Sequence, residues 1–155
     1  MPTISVEQSL LRNLVESKGR VHDIEDLGFR LPLMGTDIDK CDDEVLDIEI
    51  FPDRPDLLSA ETLFHGMMPF MHDSPAKPRL LVHPGTISMR VSPDLATIRP
   101  VILGAVVRNV EVDDGLIKRL MEHQEKLHFA LGRGRKRASI GVHDLGAISP
   151  PFRVE

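Results

Sequence analysis

The sequence predicts an α+β fold in two parts: a small helix-rich N-terminal domain with a strand-to-helix corner, residues 1–74, and then the strand–helix–strand opening of a mixed α/β domain, residues 75–155. Three observations support this prediction. Apolar residues recur at helical spacing near the N-terminus and again after residue 113, and the period changes to two at residues 45–51. A linker-like segment, HDSPAKP at residues 72–78, separates the two parts.

Two short helices are predicted in the first part. The first is predicted to begin at Ser5, because SVEQ places Gln8 at the spacing of a capping box, and to stop near Gly19. Its apolar face consists of Leu10, Leu11, Leu14 and Val15. The second helix is predicted over residues 22–31, with Ile24, Leu27 and Leu31 facing the core. The acidic segment at residues 35–44 is predicted to be rich in turns.

A strand and a third helix follow. Residues 45–51, VLDIEIF, alternate apolar and acidic side chains, which is typical of a half-buried strand. Pro52 has no backbone N–H to donate, so the strand is predicted to end there. Ser59 is predicted to cap the next helix, with Glu61 in its first turn, and Pro69 is predicted to end that helix.

The segment between this strand and this helix is the first candidate site. Its prolines restrict the backbone, its aspartates are able to accept backbone N–H groups, and its arginine is able to bridge to either aspartate or to a partner. Both a corner that only folds the chain and a docking site fit this pattern. The corner consists of Asp53, Arg54, Pro55 and Asp56.

The second part is predicted to contain short strands at residues 80–82 and 86–91, and a strand buried on both faces at 101–107. A long helix is predicted from Asp113 or Asp114 to Leu131, and residues 138–145 are predicted to be a further strand. The expected inner stripe of the helix consists of Ile117, Leu120, Met121, Gln124, Leu127, His128 and Leu131.

The segment GRGRKR, residues 132–137, contains the one concentrated run of positive charge and is the second candidate site. The net charge of −5 and the absence of Trp and Tyr argue against a general nucleic-acid-binding surface. Cations at a helix C-terminus also complement its dipole, which favours a solvated loop and leaves a transient RNA contact as the alternative. The candidate RNA-contact residues are Arg133, Arg135, Lys136 and Arg137.

No residue is predicted to be catalytic or to bind a metal. His123 and His128 lie five residues apart, about 140° around a helix, whereas two metal ligands must share one face. His143-Asp144 is a lone pair, and a turn capped by Asp144 explains it. Cys41 stands among acidic residues that raise its pKa, which predicts an inert thiol. The N-terminus lacks a signal core and the sequence lacks a long apolar run, so we expect a cytoplasmic protein without membrane contact.

The stretch EIFPDRPDLLSAE, residues 49–61, resembles a segment near the N-terminus of the phenylalanyl-tRNA synthetase beta subunit, of the archaeal and eukaryotic cytosolic type. Further blocks resemble the same family in the same order: MPTISV, LPLMGTDID, IRPVILGAVVRNVEV, QEKLHFALGRGRKR and ASIGVHDL followed by PPF. This sequence departs from the family pattern at Asp53, where the family has Asn, and at Thr62, Phe64 and His65, which occupy Gly, Ala and Arg positions.

The resemblance implies that residues 1–74 form the N-terminal structural domain and that residues 75–155 begin a tRNA-editing-type domain, incomplete here, whose pocket residues follow Glu155. It implies a structural and assembly role in the enzyme that attaches phenylalanine to its tRNA. The implied partners are the alpha subunit, the rest of the beta subunit and tRNA, in a heterotetramer. The resemblance also implies ATP and magnesium as cofactors of the full assembly and no cofactor for this chain. The alternative is a free-standing diverged paralogue that binds RNA or protein.

Overall fold

The computed structural model describes residues 2–73 and 83–155. The chain divides into two compact units. The first consists of Met1–Pro78 and Asp113–Ile140, and the second of Arg79–Val112 and Gly141–Glu155. The predicted domain boundary at residues 74 and 75 lies outside the described residues and stays a prediction. The mixed α/β architecture, with helices and small sheets, is confirmed.

A three-stranded antiparallel sheet forms one side of the first unit. Its strands are β1 (Thr3–Glu7), β2 (Thr36–Cys41) and β3 (Val45–Ile50), and β3 lies in the centre. The alternation predicted for β3 is confirmed, because three of its apolar side chains are buried while the two acidic side chains between them are only half-buried. The buried side chains of β3 are Leu46, Ile48 and Ile50.

Two predictions in this region are wrong. Ser5 does not cap a helix, since it lies in β1 opposite Asp47 of β3, and helix α1 begins later and spans Gln8–Glu16. Residues 36–41 are a strand rather than a turn. Ile4 of β1 is buried opposite Ile48 of β3, and the half-buried Ile38 of β2 packs against the core opposite the same residue. Burial across the sheet therefore outweighed the local capping and turn signals.

Further helical segments lie between and after the strands. Helix α2 spans Ile24–Arg30 and is capped by Asp23, whose carboxylate accepts hydrogen bonds from two backbone N–H groups. A 3₁₀ turn follows at Leu31–Met34. Helix α3 spans Ala60–His72, and Ser59 caps it as predicted.

The prediction that Pro69 ends the third helix is wrong, because α3 continues through Pro69 to His72. A proline inside a helix removes one backbone hydrogen bond. Here the methionines around it are buried in the core, and this burial stabilises the last turn. They are Met67, Met68 and Met71.

Helix α4 (Asp114–Ala130) belongs to the first unit and has the bounds that the sequence predicts, with Asp113 as its cap. Its side chains contact α3 through an ion pair between Arg119 and Glu61, 2.8 Å long, and the core through Leu127. The predicted inner stripe is largely wrong, because four of its apolar members are exposed: Ile117, Leu120, Met121 and Leu131. Helical periodicity identifies an apolar face but not whether another element covers it.

The second unit contains a parallel pair of short strands, β4 (Met89–Val91) and β5 (Phe152–Val154), and a 3₁₀ turn at Pro93–Thr97. The strands predicted at 101–107 and 138–145 are wrong, because neither segment is a strand in this structure. A strand that is buried on both faces lies within a sheet and hydrogen-bonds to neighbouring strands. No described strand pairs with either of these segments. The strand predicted at 80–82 lies outside the described residues.

Candidate functional site

The strand-to-helix corner is organised by the side chain of Arg54. Its guanidinium donates from Nε and Nη2 to the two carboxylate oxygens of Asp56, at 3.0 and 2.9 Å, and from Nη1 to the carbonyl of Met34. These hydrogen bonds raise the pKa of Arg54 and lower that of Asp56. The guanidinium of Arg54 therefore links the corner, through the carbonyl of Met34, to the 3₁₀ turn that precedes β2.

The inner side of the corner is closely packed. A Cβ added at Gly35, whose φ is +85°, would lie 3.0 Å from Cγ of Arg54. One added at Gly66 would lie 2.7 Å from Cδ2 of Leu57, which is buried. Asp53 points to solvent in the exposed part of the corner, and Pro55 opens a 3₁₀ turn through Leu57. The predicted docking role of the corner stays a prediction.

The second candidate site is the basic loop, residues 132–137, which follows α4 in the first unit. Three consecutive residues of this loop adopt left-handed backbone angles: φ is +48° at Arg133, +64° at Gly134 and +65° at Arg135. The carbonyl of His128 accepts hydrogen bonds from the N–H groups of Gly134 and Arg135, at 2.8 and 3.3 Å. The loop is therefore a defined turn tied to the last turn of α4.

The side chain of His128 lies inside the basic loop and is only 3% exposed. Its Nε2 accepts a hydrogen bond of 2.8 Å from the N–H of Ile140, and Nδ1 lies 3.5 Å from a carboxylate oxygen of Glu125. Nδ1 has no hydrogen-bond partner in the described part of the chain. Because Nε2 accepts, the proton of the neutral ring is on Nδ1 and points towards the Glu125 carboxylate.

All four cationic side chains of the basic loop are exposed at its surface. Arg135 donates to the carboxylate of Glu125 on α4. Phe129, three residues before the loop, has an exposed ring with 74% of its surface open to solvent. The loop therefore presents Arg133, Arg135, Lys136 and Arg137 at its surface, and Phe129 precedes it on α4. The structure does not bring the basic loop into a described contact with the corner residues.

The sequence interpretation missed two features of this site. The predicted inward position of His128 on α4 is confirmed by its 3% exposure, but no local pattern indicates that its ring accepts a hydrogen bond from a backbone N–H twelve residues later. Phe129 was not singled out, although a signal existed. It lies outside the predicted inner stripe of the helix, and an aromatic residue at such a position is expected to be exposed.

The other titratable residues form no comparable group. Within residues 2–73 and 83–155 there is no cluster of three or more His, Cys, Asp or Glu side chains that could hold a metal ion. The carboxylate of Asp144 accepts from the N–H of Gly146 at 2.8 Å, as predicted for a capped turn. Burial, with a smaller contribution from Asp42, raises the pKa of the Cys41 thiol, and this direction was also predicted. None of the helices described is long and apolar enough to cross a membrane.

Comparisons with known proteins show that the chain is similar to phenylalanine–tRNA ligase beta subunits. It is 46% identical over 125 residues to a phenylalanine–tRNA ligase beta subunit of Methanothrix thermoacetophila, covering 80% of this chain and 23% of that protein. It is 42% identical over 153 residues to the beta subunit of Methanosarcina acetivorans, covering 99% of this chain and 27% of that protein. No family model matches the chain.

The fold is similar to a crystal structure of an N-terminal fragment of the phenylalanyl-tRNA synthetase beta subunit from Pyrococcus horikoshii. The TM-score is 0.81 at 25% sequence identity, over 98% of this chain and 44% of that one. The chain spans about a quarter of the length of the curated relatives it matches. The similarity therefore concerns one part of those proteins.

Proposed function

We propose that this chain, which is related to the N-terminal part of phenylalanine–tRNA ligase beta subunits, is a structural and assembly part of that enzyme. In this proposal the assembled enzyme attaches phenylalanine to its tRNA in the cytoplasm with ATP and magnesium. This chain supplies surfaces rather than a catalytic centre. The observation that carries the proposal is the shared fold over 98% of the chain, together with sequence identity of 42% over 153 residues.

The exposed apolar residues of the second unit support an assembly role. Segment 101–112 contains no helix or strand and exposes six large apolar side chains, of which Leu103 is the most open at 90%. Contiguous exposed apolar side chains are typical of surfaces that bind another polypeptide. We call this segment the apolar segment. It exposes Val101, Leu103, Val106, Val107, Val110 and Val112.

The proposed occupant of the apolar segment is polypeptide corresponding to the rest of the beta subunit. Residues 75–155 then form the opening of an editing-type domain, as the resemblance implies. Packing against this polypeptide supplies the apolar cover that the exposed side chains of the apolar segment lack in the isolated chain. The alpha subunit is proposed to join the same assembly.

A co-purification experiment tests this proposal. The tagged chain is co-expressed with the alpha subunit and the remaining beta-subunit sequence of Methanosarcina acetivorans. We expect both to be retained with the tag through size-exclusion chromatography. A chain that is folded by circular dichroism but retains neither protein contradicts the proposal.

Two variants test whether the apolar segment binds the remaining beta-subunit sequence. Leu103→Asp is expected to reduce retention of the beta-subunit sequence at least about tenfold, since a buried unpaired charge at an interface is costly. Val21→Asp, at a residue of the first unit that is 78% exposed, is the matched control and is expected to retain it fully. Equal loss in both variants, or in neither, argues against this surface.

The second candidate is a free-standing RNA-binding module, which the exposed basic loop favours. The two candidates differ in whether the chain depends on the other subunits for its stability. A free-standing module is monodisperse alone and unchanged by the other subunits, whereas an assembly part is expected to gain thermal stability from them. A thermal unfolding series with and without the co-purified subunits separates the two candidates.

A further inference from the structure

Strand β1 has a neighbour on one side only. It pairs with β3, and no strand within residues 2–73 and 83–155 pairs with its other edge. The N–H of Ile50 donates to the carbonyl of Pro2 at 2.9 Å, and the N–H of Gln8 donates to the carbonyl of Glu44 at 2.9 Å. Because the backbone groups of successive strand residues point to opposite edges, those of the alternate residues between Pro2 and Gln8 point away from β3. The residues with outward backbone groups are Thr3, Ser5 and Glu7, and all of them are exposed.

The outer edge of β2, on the opposite side of the same sheet, is protected against a further strand. The N–H of Ile38 donates to the carboxylate of Asp37 at 3.0 Å, so it is not free to pair. The register with β3 shifts between Ile38 and Lys40, and a bulge of this kind bends an edge away from a partner strand. Lys40 also adds a charged side chain to this edge, paired with Asp42 at 2.8 Å. Each of these features opposes edge-to-edge pairing.

Strand β1, Thr3–Glu7, lacks these features along its outer edge. Its register with β3 is unbroken, and its sequence, TISVE, contains neither proline nor lysine. Its five residues are an ordinary strand length. The β-branched side chains of Thr3, Ile4 and Val6 favour extended backbone. An exposed edge of this kind is a template for a strand from another polypeptide.

We propose that β1 pairs antiparallel with β1 of a second copy of this chain, centred on Ser5, so that the two sheets join into one. In this register each Ser5 N–H donates to the Ser5 carbonyl of the other copy, and each Glu7 N–H donates to the Thr3 carbonyl. The carboxylate of Glu7 is opposite the hydroxyl of Thr3, and Ile4 packs beside Val6. No like charges oppose each other, and the same edge serves both copies, as a twofold interface requires.

Other antiparallel registers of two β1 strands are less favourable. Centring the pair on Glu7 places two carboxylates directly opposite each other, and like charges at that position are destabilising. Centring the pair on Thr3 leaves the N–H of Glu7 without a partner. The register centred on Ser5 pairs the whole strand and keeps the carboxylates apart. The pairing joins copies of this chain and needs no other subunit, so its failure leaves the assembly proposal standing.

Sedimentation equilibrium of the purified full chain, at concentrations up to about 1 mM, tests the pairing. We expect the average mass to rise with concentration from that of one chain towards that of two. Ser5→Pro removes the outward N–H in both copies and is expected to raise the dissociation constant at least about tenfold, while an edge strand tolerates a proline at such a position. Ser5→Ala keeps the N–H and is the matched control, expected to stay within about twofold. Equal constants for the two variants, or a mass of one chain throughout, overturn the proposal.

Hydrogen exchange of the wild-type chain gives a readout that does not depend on the folding of the proline variant. Where the dimer prevails, the amides of Ser5 and Glu7 are expected to exchange at least about tenfold more slowly than in dilute solution. The amide of Ile38, on the outer edge of β2, is the control and is expected to be unchanged. A doubled mass without protection at Ser5 places the contact elsewhere and overturns the proposal. Protection at Ser5 that requires the remaining beta-subunit sequence of Methanosarcina acetivorans assigns the edge to that polypeptide and also overturns it.

Discussion

The Nε2 atom of His128 accepts a 2.8 Å hydrogen bond from the backbone N–H of Ile140, across the basic loop. The same residue accepts with its carbonyl from Gly134 and Arg135. His128, buried at the end of α4, therefore accepts hydrogen bonds both from the middle of the loop and from the segment that follows the loop. The basic side chains have a defined position because this ring lies beneath them.

Replacement of His128 by leucine is expected to free the basic loop. The N–H of Ile140 loses its acceptor, and leaving such a group without a partner costs about 1–3 kcal/mol. We expect a lower urea midpoint and faster hydrogen exchange at the amide of Ile140. His143→Leu, an exposed histidine with no such bond, is the control and should change neither. Unchanged exchange at Ile140 in His128→Leu would show that the ring does not hold the loop.

Gly66→Ala is expected to destabilise the first unit by about 1–2 kcal/mol. Its new methyl group meets Cδ2 of buried Leu57 at 2.7 Å, and overpacking of a filled core forces side chains out of their preferred rotamers. Gly28→Ala is the control on α2, where a Cβ meets nothing within 4 Å. Because alanine is the better helix former, this variant is expected to be more stable by about 0.5–1 kcal/mol. Chemical denaturation measures both, and a shift of the same sign in the two variants contradicts the packing described here.

Arg54→Ala is expected to lower the free energy of unfolding by about 1–3 kcal/mol, because it removes the paired bonds to Asp56 and the bond to the carbonyl of Met34. Arg54→Lys keeps the charge but lacks the planar fork, and it is expected to recover less than half of this loss. Urea unfolding at neutral pH provides the measurement. If lysine restores full stability, charge alone is sufficient and the fork has no structural role.

Asp42 is expected to add a pH-dependent contribution to stability. Its hydrogen bond to Lys40, with a 2.8 Å N–O distance, and those from the N–H groups of Val45 and Glu44 lower its pKa to about 2. A carboxylate whose pKa is lower in the folded state stabilises that state above its ordinary pKa, and this contribution is lost as the pH falls towards 2. The difference in urea midpoint between wild type and Asp42→Asn is therefore expected to be greatest at neutral pH.

The control for this titration is Asp43→Asn, which removes the same charge from a carboxylate that takes no part in those bonds. We expect it to produce a smaller difference that does not follow the same pH course. A direct titration of the Asp42 carboxyl by NMR completes the measurement. A midpoint near the ordinary value of 3.8 would contradict the ion pair.

The candidate site was only partly predictable from the sequence. The charges of residues 132–137 and the unusual composition of the corner can be read directly from the sequence, because charge and proline content are local properties. The hydrogen bond from Arg54 to the carbonyl of Met34, twenty residues earlier, cannot be read from the sequence. Likewise the ring of His128 lies beneath the loop only because the chain turns back at Gly132, which depends on contacts that sequence spacing does not encode.

Local signals in the amino-acid sequence suffice to predict the alternating strand β3, the cap of α3 at Ser59 and the length of α4. They do not predict that Ser5 joins a strand instead of capping a helix, or which face of α4 is exposed. Both of these depend on contacts between residues distant in the sequence. Capping and periodicity are set by neighbours along the chain, whereas strand pairing and the covering of an apolar face depend on surfaces supplied by residues far away in sequence.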